Sequence, residues 1–225
     1  IMSSRSFVTV GITTYNRTSL LPRAIDSVLK QTYPFFKLII SDNASSDATP
    51  AICEEYERKD SRITYIRHPK NIGYVENFYS LVRRAQGEYF VWLGDDDWWA
   101  PEYLSILVDV LEKNRNYHVA QSSFQYVGED GVDGAPIVWE GEFDVMHQNY
   151  SDLSKNIFTK GRITHYIYGL FRRKFLLECI ERPIPERRGW DRIITARIAL
   201  RTPFYSVRPI LRFVTVRGIK IENTF

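Results

Sequence analysis

Apolar and polar residues follow two alternating patterns along the first half of the chain. Short runs rich in β-branched and aromatic residues are typical of buried strands. These runs are residues 7–13, 35–41, 63–67, 89–93 and 119–127. Between them, apolar residues recur at helical spacing and favour helices that turn one side to a core. The helices are predicted to begin near Pro22, Thr49, Val75 and Pro101.

The regular succession of strand and helix, with short loops between them, predicts a particular kind of sheet. Strands that are separated by helices pair in parallel through right-handed crossovers, because each helix packs back onto the sheet. We therefore expect an α/β sandwich with a mostly parallel central sheet that is flanked by helices.

This succession becomes irregular after Val127. Residues 128–144 contain several glycines and a proline among scattered acids, which predicts an irregular excursion with one short edge strand at residues 137–139. The remaining predicted elements are a helix near 146–156, a strand at 164–171, a helix at 174–180, a helix that ends near Leu200 and a strand at 204–216.

The strand at residues 89–93 runs directly into three consecutive carboxylates, Asp95, Asp96 and Asp97, which we call the acidic triplet. An unbroken apolar run is typical of a strand covered on both faces, and open α/β sheets bind ligands at the carboxyl ends of such strands. Adjacent like charges need either open water or a cation. The neighbouring tryptophans favour a hard divalent cation, Mg²⁺ or Mn²⁺; the alternative is a solvated acidic turn.

Polar residues also follow three other predicted strands, in loops 14–17, 42–43 and 71–73. Such convergence at one edge of a parallel sheet is typical of a nucleotide site. Tyr15 can stack on a base, and Asp42 can accept a hydrogen bond from a base or a ribose. The glycine pattern of a dinucleotide site and the lysine of a phosphate-binding loop are both missing after the first strand. We therefore expect the phosphates to be held through a metal ion on the acidic triplet.

Composition and charge add two points. The 225 residues are 44% hydrophobic and 14% aromatic, which is ample for a core. The net charge of +3 is unevenly distributed along the chain. Residues 1–154 carry 14 Lys and Arg against 22 Asp and Glu, whereas residues 155–225 carry 16 Lys and Arg against 5 Asp and Glu. The basic C-terminal third could face an anionic substrate, a phospholipid surface or nucleic acid. The alternative is a solvated surface that offsets the acidic part.

The apolar runs, the N-terminal residues and the cysteines together predict a cytoplasmic protein. The longest apolar runs are too short to span a bilayer, and we find no leader pattern. Cys53 and Cys179 show no metal-type spacing, which fits reduced thiols. Peripheral contact with the inner face of a membrane, through the basic third, is a further hypothesis.

Four ordered motifs resemble the family 2 glycosyltransferases of the GT-A fold. They are Ile12-Thr13-Thr14-Tyr15-Asn16-Arg17, Ser41-Asp42-Asn43-Ala44-Ser45 with Asp47, Asn71-Ile72-Gly73 with Asn77, and Gly87-Glu88-Tyr89 to Asp97 with Pro101. The resemblance implies an inverting transferase that takes a nucleotide-diphosphate sugar, most typically a UDP-sugar, and a glycan or lipid-linked acceptor. Residues 1–127 would bind the donor and residues 128–225 the acceptor, within a single domain.

The resemblance also implies a role for each matching residue. The donor-binding residues would be Thr13, Thr14, Tyr15, Asn16, Arg17, Asp42, Asn71, Asn77, Asp95 and Asp96. Thr13 and Tyr15 would contact the base, and Asp42 would bind its edge. Arg17 would support its loop or approach the phosphates, and Asp95 would contact the ribose or the sugar.

The metal ligand implied by the resemblance is Asp96, with Asp97 as the alternative. Gly94 stands where the first Asp of an Asp-x-Asp motif is often found, so the register of the ligands is open by one residue. His147 and His165 are further candidate ligands, although a lone histidine is more often a surface or core residue.

The catalytic base implied by the resemblance is Asp191, in Gly189-Trp190-Asp191 with Arg197. A carboxylate near a helix start can take the proton of an acceptor hydroxyl; the alternative is a helix cap. Trp190, Arg172 and Arg197 would lie on the acceptor side. For Trp190 the alternative is a core residue, and for Arg172 it is helix capping.

Two other classes of function remain open. A sugar nucleotidyltransferase shares the sheet architecture, but it usually carries a Gly-rich loop with Lys or Arg where this chain has Thr14-Tyr15-Asn16-Arg17. A nucleotide-sugar binding protein would bind the donor without transfer. Nucleic acid is not an expected partner, because the acidic triplet repels phosphate unless it holds a metal.

Overall fold

A computed structural model describes residues 6–128, 133–137, 141–143, 162–184, 186 and 189–216. Within 133–137, 141–143 and 162–164 the description covers the backbone alone. The strands are β1 (Val8–Thr14), β2 (Phe36–Asp42), β3 (Ile63–Arg67), β4 (Tyr89–Gly94), β5 (Trp98–Trp99), β6 (Val119–Gly128), β7 (Asp133–Ile137), β8 (Gly141–Phe143), β9 (Leu170–Arg172) and β10 (Phe204–Val216).

The described helices pack against both faces of the sheet. They are α1 (Leu21–Leu29), α2 (Thr49–Lys59), α3 (Tyr74–Arg84), α4 (Tyr103–Lys113), α5 (Arg173–Ile180) and α6 (Trp190–Ala199), with a 3₁₀ helix at Arg162–Tyr168. Among the described residues, no helix is both long and apolar enough to cross a membrane.

All described strands join one sheet, with the main order β3-β2-β1-β4-β9-β6-β10-β5. The first four strands of that order pair in parallel, as the alternation of strand and helix predicted. β9 is antiparallel to both β4 and β6, whereas β6 and β10 are parallel. The expectation of an α/β fold with a mostly parallel sheet flanked by helices is confirmed.

β4 lies between two hydrophobic cores. Its Tyr89, Val91 and Leu93 side chains join the core that α1 and α4 cover, and its Phe90 and Trp92 side chains join the core that α3, α5 and α6 cover. A strand with both faces buried must be apolar at every position. The unbroken apolar run before the acidic triplet therefore follows from the central place of β4.

Three predictions for the irregular half differ from the structure or fall outside it. Residues 164–171 were expected to form a strand, but Arg162–Tyr168 is a 3₁₀ helix and only Leu170–Arg172 is a strand. The tertiary contacts explain this, because Arg212 donates to the His165 carbonyl (3.0 Å) and Tyr103 donates to the Tyr168 carbonyl (2.7 Å). These bonds replace ladder bonds that a strand would have made.

The edge strand expected at residues 137–139 corresponds to β7, which ends at Ile137. The helix expected near residues 146–156 lies outside the described residues, as does His147. The helix expected from Pro101 begins at Tyr103, after a turn.

Candidate functional site

The candidate site lies where β1, β2 and β4 end at the same edge of the sheet. Thr14 pairs with Asp42 on β2, and Thr13 pairs with Gly94 on β4. The strands therefore end in register, and the loops that follow them meet at one edge. This is the position at which open α/β sheets bind ligands.

The loop after β1 is held by side chains of the loop after β2. The Asn16 N–H donates to Ser45 Oγ (2.9 Å), and the Arg17 N–H donates to Thr49 Oγ1 (2.9 Å). Asn16 has a positive φ of 52°, a left-handed conformation that Asn adopts more readily than most residues. Tyr15 is thereby left 49% exposed, and the buried Thr14 hydroxyl has no hydrogen-bond partner.

Asp42, which was expected to contact the base, lies buried at the end of β2. Its side chain is fully buried. One carboxylate oxygen accepts from the backbone N–H and the hydroxyl of Ser45, and the other accepts from Tyr65 Oη (2.7 Å). These contacts hold the loop after β2 in place, and the expected contact of Asp42 with the base stays a prediction.

Asn43, Asn71 and Asn77 also tie loops together. Asn43 Nδ2 donates to Asn71 Oδ1 (3.0 Å), and Asn43 Oδ1 accepts from the Ile72 N–H (2.8 Å). Asn77 is 2% exposed and exchanges hydrogen bonds with Ser41. The structure therefore brings Asn71 to the edge of the site, whereas Asn77 supports β2 from within the core.

The acidic triplet presents its three carboxylates to three different surroundings. Asp95 Oδ1 lies 3.4 Å from Nε of Arg17, and Asp96 is partly exposed at the edge of the sheet. Asp97 is 6% exposed and accepts from the Thr215 N–H (2.9 Å). Burial raises the pKa of Asp97 to about 7, and Arg212 opposes that shift. Of the two residues proposed as metal ligands, Asp96 is therefore the accessible one.

The residues present suit a divalent cation that takes most of its ligands from elsewhere. Within the described ranges, no three His, Cys, Asp or Glu side chains are grouped closely enough to hold a metal ion. The partly exposed Asp95 and Asp96 supply hard oxygen donors. Mg²⁺ and Mn²⁺ sites commonly combine one or two carboxylates with water and substrate phosphate, so these donors fit such an ion.

His165 is not available as a metal ligand. Arg212 donates to His165 Nδ1 (3.0 Å), so Nε2 carries the proton and donates to Tyr126 Oη (3.0 Å). Burial, and then the charge of Arg212, lower the pKa of His165 well below its usual value. The histidine is thus a neutral core residue, which was the alternative interpretation.

Asp191 lies in the first turn of α6. Gly189, with φ 84°, is the N-cap residue, and Asp191 Oδ1 accepts from the Arg192 N–H (2.9 Å). Because Asp191 lies inside the helix, it is not the N-cap residue that the alternative interpretation proposed. The helix packs against the 3₁₀ helix that carries Tyr168. Burial raises the pKa of Tyr168, and the negative charges of Asp97, Asp96 and Asp191 add to the shift.

Trp190 packs in an aromatic group at the start of α3. Its ring centroid lies 4.7 Å from that of Phe78 and 5.9 Å from that of Tyr74. Trp190 is half-buried, and Tyr74 is 45% exposed. The indole thus belongs to the core on one side and borders solvent beside Asp191 on the other.

Two arginines expected on the acceptor side lie elsewhere. Arg172 pairs with Tyr89 at the start of β4 and donates to the Leu111 carbonyl (2.6 Å) and to Tyr89 Oη (3.0 Å). That position is the far end of β4. At the usual rise per residue of a strand, it lies roughly 17 Å from Gly94, so the structure does not support a place for Arg172 beside the acidic triplet. Arg197 donates to the Arg182 carbonyl (2.5 Å) near the end of α6, away from Asp191.

Sequence reasoning did not identify three residues that contact the site. Arg23 and Thr215 hold the backbone of the acidic triplet. Glu186 accepts from the backbone N–H groups of Tyr74 (2.6 Å) and Val75 (3.3 Å) at the start of α3. No local pattern marks these residues, because each acts on a segment far away in the sequence.

Curated relatives are similar to more than half of the chain. The chain is 31% identical over 136 residues to TuaG of Bacillus subtilis, named as a teichuronic acid biosynthesis glycosyltransferase, and 33% identical over 138 residues to EpsE of the same organism, named as a glycosyltransferase. These alignments cover 59% and 61% of this chain. The chain spans about half the length of both relatives, at 51% of TuaG and 50% of EpsE.

Solved structures share the fold at low identity. A structure of S. aureus TarS in complex with UDP-GlcNAc matches with a TM-score of 0.74 at 19% identity and covers 97% of this chain and 61% of that chain. The mannosyltransferase PcManGT from Pyrobaculum calidifontis, in complex with GDP-Man and Mn²⁺, matches with a TM-score of 0.65 at 20% identity over 97% of this chain and 59% of that chain. Both matches support the GT-A type fold.

The family assignment rests on a longer match. The sequence model of glycosyl transferase family 2 matches residues 9–179, which include β1, β2, β4 and the acidic triplet. This match covers more than half of the chain and agrees with the relatives and with the fold. The chain therefore belongs to glycosyl transferase family 2.

Proposed function

We propose that this protein is an inverting, divalent-metal-dependent glycosyltransferase that moves a sugar from a UDP-sugar to a glycan or lipid-linked acceptor. The observation that carries the proposal is the meeting, at one edge of the sheet, of the Arg17–Asp95 ion pair and the accessible Asp96. Family membership supports the chemistry, since the family match spans residues 9–179, which include Arg17, Asp95 and Asp96, and curated relatives are named as glycosyltransferases.

The donor half of the proposed site is formed by residues 1–127. Exposed Tyr15 stacks on the nucleotide base, beside Thr13 and Asn16, and Arg17 and Asp95 together face the ribose and the diphosphate. Their positions at the carboxyl ends of β1 and β4 support these roles. UDP is the favoured nucleotide, because TarS has been solved with UDP and with UDP-GlcNAc, although PcManGT has been solved with GDP-Man.

Asp96, with Asp95 beside it, would hold the metal ion. A bound Mg²⁺ or Mn²⁺ would offset the negative charge that builds up on the leaving diphosphate. Asp96 is suited to this role because its carboxylate borders solvent at the strand end, whereas that of Asp97 is buried against β10. The Mn²⁺ in the PcManGT complex supports a metal in sites of this fold.

Asp191 is the proposed general base. In an inverting transfer, the acceptor hydroxyl attacks the anomeric carbon from the face opposite the diphosphate, and its proton passes to a carboxylate. Asp191 lies in the first turn of α6, in the second half of the chain, next to Trp190, whose ring lies 5.9 Å from that of Tyr74. Residues 128–225 would therefore bind the acceptor, with the exposed side of Trp190 beside the base.

Two other functions are weighed against this one. A nucleotide-sugar binding protein without transfer would use the same donor contacts and would not need Asp191. A sugar nucleotidyltransferase would need cationic groups on the loop after β1 to hold a triphosphate, and that loop offers Arg17, which faces Asp95. Membership of glycosyl transferase family 2 favours transfer over both.

Peripheral membrane contact is a separate proposal and depends on the basic C-terminal third. A lipid-linked acceptor would be presented at such a surface. Co-sedimentation with vesicles that contain anionic phosphatidylglycerol, and not with neutral phosphatidylcholine vesicles, would support it. Co-sedimentation that is indifferent to anionic lipid would contradict it.

Calorimetric binding of UDP, GDP and dTDP, each with Mn²⁺ and with EDTA, tests the donor site. We expect Mn²⁺-dependent binding of UDP by the wild type and its loss in Asp96→Ala. Asp109→Ala is the matched control, because Asp109 is an exposed carboxylate on α4 that pairs with Lys113. If no nucleotide binds under any metal condition, the proposed function is wrong.

Product analysis tests transfer and its stereochemistry. With a panel of UDP-sugars and acceptor glycans, NMR of the new glycosidic bond should show the anomeric configuration opposite to that of the donor. Donor binding without turnover on any acceptor would favour the binding protein. Retention of configuration would contradict the role of Asp191 as a general base for direct displacement.

A further inference from the structure

The C-terminal strand closes over the acidic triplet. β10 pairs with the two-residue strand β5, which directly follows the triplet, through Arg212 with Trp99 and Phe213 with Trp98. β10 lies beyond residue 179, where the family match ends. A segment outside that match thus covers the loop that carries the proposed metal ligand.

Thr215 contacts the triplet at two points. Its backbone N–H donates to Asp97 Oδ1 (2.9 Å), and its hydroxyl donates to the Asp96 carbonyl. The first bond holds the Asp97 carboxylate towards β10. The second fixes the peptide that joins Asp96 to Asp97, so the two side chains cannot exchange their positions.

Arg23, on α1, completes this arrangement from the other side. Its Nη2 donates to the Asp96 carbonyl (2.8 Å) and to Thr215 Oγ1 (2.8 Å). The guanidinium lies over the Trp98 ring, 3.8 Å from its centroid, and Trp98 stacks on Phe213 at 5.2 Å. The Asp96 carbonyl, the Thr215 hydroxyl and the Arg23 guanidinium therefore form a closed group of three, which we call the Arg23–Thr215 bridge.

We propose that Arg23 and Thr215 are positioning residues that hold the acidic triplet in the register in which Asp96, and not Asp97, is presented to the nucleotide diphosphate and its metal ion. The inference rests on the proposed function. It also gives a physical reason for the choice between two adjacent carboxylates that the sequence leaves open. A polar group that joins three segments holds one geometry, because each member loses a part-buried hydrogen bond if the others move.

Thr215→Val tests the bridge, because valine keeps the shape and the backbone N–H but removes the hydroxyl. We expect the dissociation constant for UDP in Mn²⁺ to rise about tenfold, the size of one lost buried hydrogen bond, with little change in EDTA. Thr215→Ser, which retains the hydroxyl, should stay within about twofold of wild type. Arg23→Lys, which cannot bridge both acceptors in the same way, should weaken Mn²⁺-dependent binding like Thr215→Val.

Thr202→Val is the matched control. Thr202 is 1% exposed, and its hydroxyl donates to the Pro203 carbonyl (3.2 Å) just before β10, at the end far from the triplet. Melting temperatures of all variants of the full-length protein are measured in EDTA. A purely structural role for Thr215 predicts that the two valine variants lose stability alike and bind UDP alike.

The outcomes separate the two proposals. If the wild type binds UDP with Mn²⁺ and Thr215→Val binds it equally well, the bridge does not position the triplet and this inference is wrong, while the proposed function stands. If the wild type binds no nucleotide, the proposed function fails and the inference fails with it. Weakened binding in Thr215→Val, with recovery in Thr215→Ser, supports the inference.

Discussion

Nε of Arg17 lies 3.4 Å from Oδ1 of Asp95 and joins the loop after β1 to the loop after β4. The two side chains are 33% and 13% exposed. An ion pair at this level of exposure contributes little to stability, since solvent screens it and ordering both side chains costs entropy. The ion pair instead fixes the relative position of the two loops that form the proposed donor site.

Replacing Arg17 with methionine should therefore affect donor binding more than stability. We expect Arg17→Met to weaken UDP binding in Mn²⁺ by about tenfold, as for the loss of a charged hydrogen bond of 1.4 kcal/mol or more. The free energy of unfolding should change by less than about 1 kcal/mol. Calorimetry and urea unfolding measure the two quantities.

Arg62→Met provides the comparison for that variant. Arg62 pairs with Asp60 at 2.7 Å with similar exposure, 36% and 23%, but lies at the amino end of β3, away from the site. The Arg62→Met variant should bind UDP with the affinity of the wild type. Equal affinity losses in both variants would mean that Arg17 acts through general stability alone.

Replacing Asp191 with asparagine should abolish transfer while donor binding persists. A general base contributes about 10²–10⁴-fold to a rate, so kcat should fall by that factor with UDP affinity unchanged within about twofold. Glu178→Gln is the control, because Glu178 is a carboxylate of the same half of the chain that pairs with Arg201. A kcat within about tenfold of wild type for Asp191→Asn would leave this carboxylate as an acidic residue of the first turn of α6 with no role as a base.

Gly73 meets two separate constraints at the start of α3. Its φ of 86° and ψ of 157° lie in a region that side chains rarely adopt, and an added Cβ would lie 2.5 Å from Glu186 Oε2. Gly73→Ala should lower the free energy of unfolding by about 1–3 kcal/mol. Gly189→Ala should cost about 1–2 kcal/mol, from its φ of 84° alone, since nothing lies within 4 Å of the added Cβ.

A double-mutant cycle separates the two constraints at Gly73. In the Glu186→Ala background the close contact is gone, so Gly73→Ala should cost about 1 kcal/mol less than in the wild type. Urea unfolding of the four proteins gives the coupling energy. A coupling energy of zero would show that Glu186 moves aside freely and that only the backbone conformation matters.

Protonation of His165 should destabilise the protein at low pH. Burial, with the charge of Arg212, lowers the pKa of His165 well below 6.5 in the folded state, whereas the unfolded chain binds a proton below about pH 6.5. The contribution of neutral His165 to the free energy of unfolding is therefore complete above about pH 6.5. It is lost as the pH falls, at up to about 1.4 kcal/mol per pH unit. The facing groups are Arg212, from β10, and Tyr126, from β6.

Comparison with His165→Gln isolates this effect. Glutamine can accept from Arg212 and donate to Tyr126, but it does not titrate. The wild type should exceed the variant in unfolding free energy by less at about pH 5.5 than at about pH 7.5. The opposite contribution of Asp97, whose pKa burial raises to about 7, is common to both proteins and cancels. A pH-independent difference would contradict the burial of a neutral His165.

Local patterns predicted the strands whose side chains are mostly apolar. The predicted strands 7–13, 35–41, 63–67 and 89–93 agree with β1 to β4 within about a residue at each end. The closing strand at 204–216 agrees with β10. Each of these strands is rich in apolar residues, because its side chains pack into a continuous core.

Patterns failed where distant side chains determine the backbone. The apolar residues of 164–171 suit a strand or a buried helical turn equally, and the hydrogen bonds from Arg212 and Tyr103 to that segment favour the turn. Asp42 and Arg172 were placed in the site by type and position in a motif. The hydrogen bonds of Arg172 to Tyr89 and Leu111 place it at the far end of β4, and those of Asp42 to Ser45 and Tyr65 bury its carboxylate in the loop after β2.

The sequence by itself determined the class of fold, the strand that ends in the acidic triplet and the family resemblance. The spacing of apolar residues and the order of the motifs are enough to predict these three features, because each feature depends on residues that are close in sequence. Only the tertiary structure decided which carboxylate is accessible and which arginine faces the site. Those properties depend on burial by β10 and on contacts between residues far apart in sequence, such as Asp97 with Thr215, which no local pattern encodes.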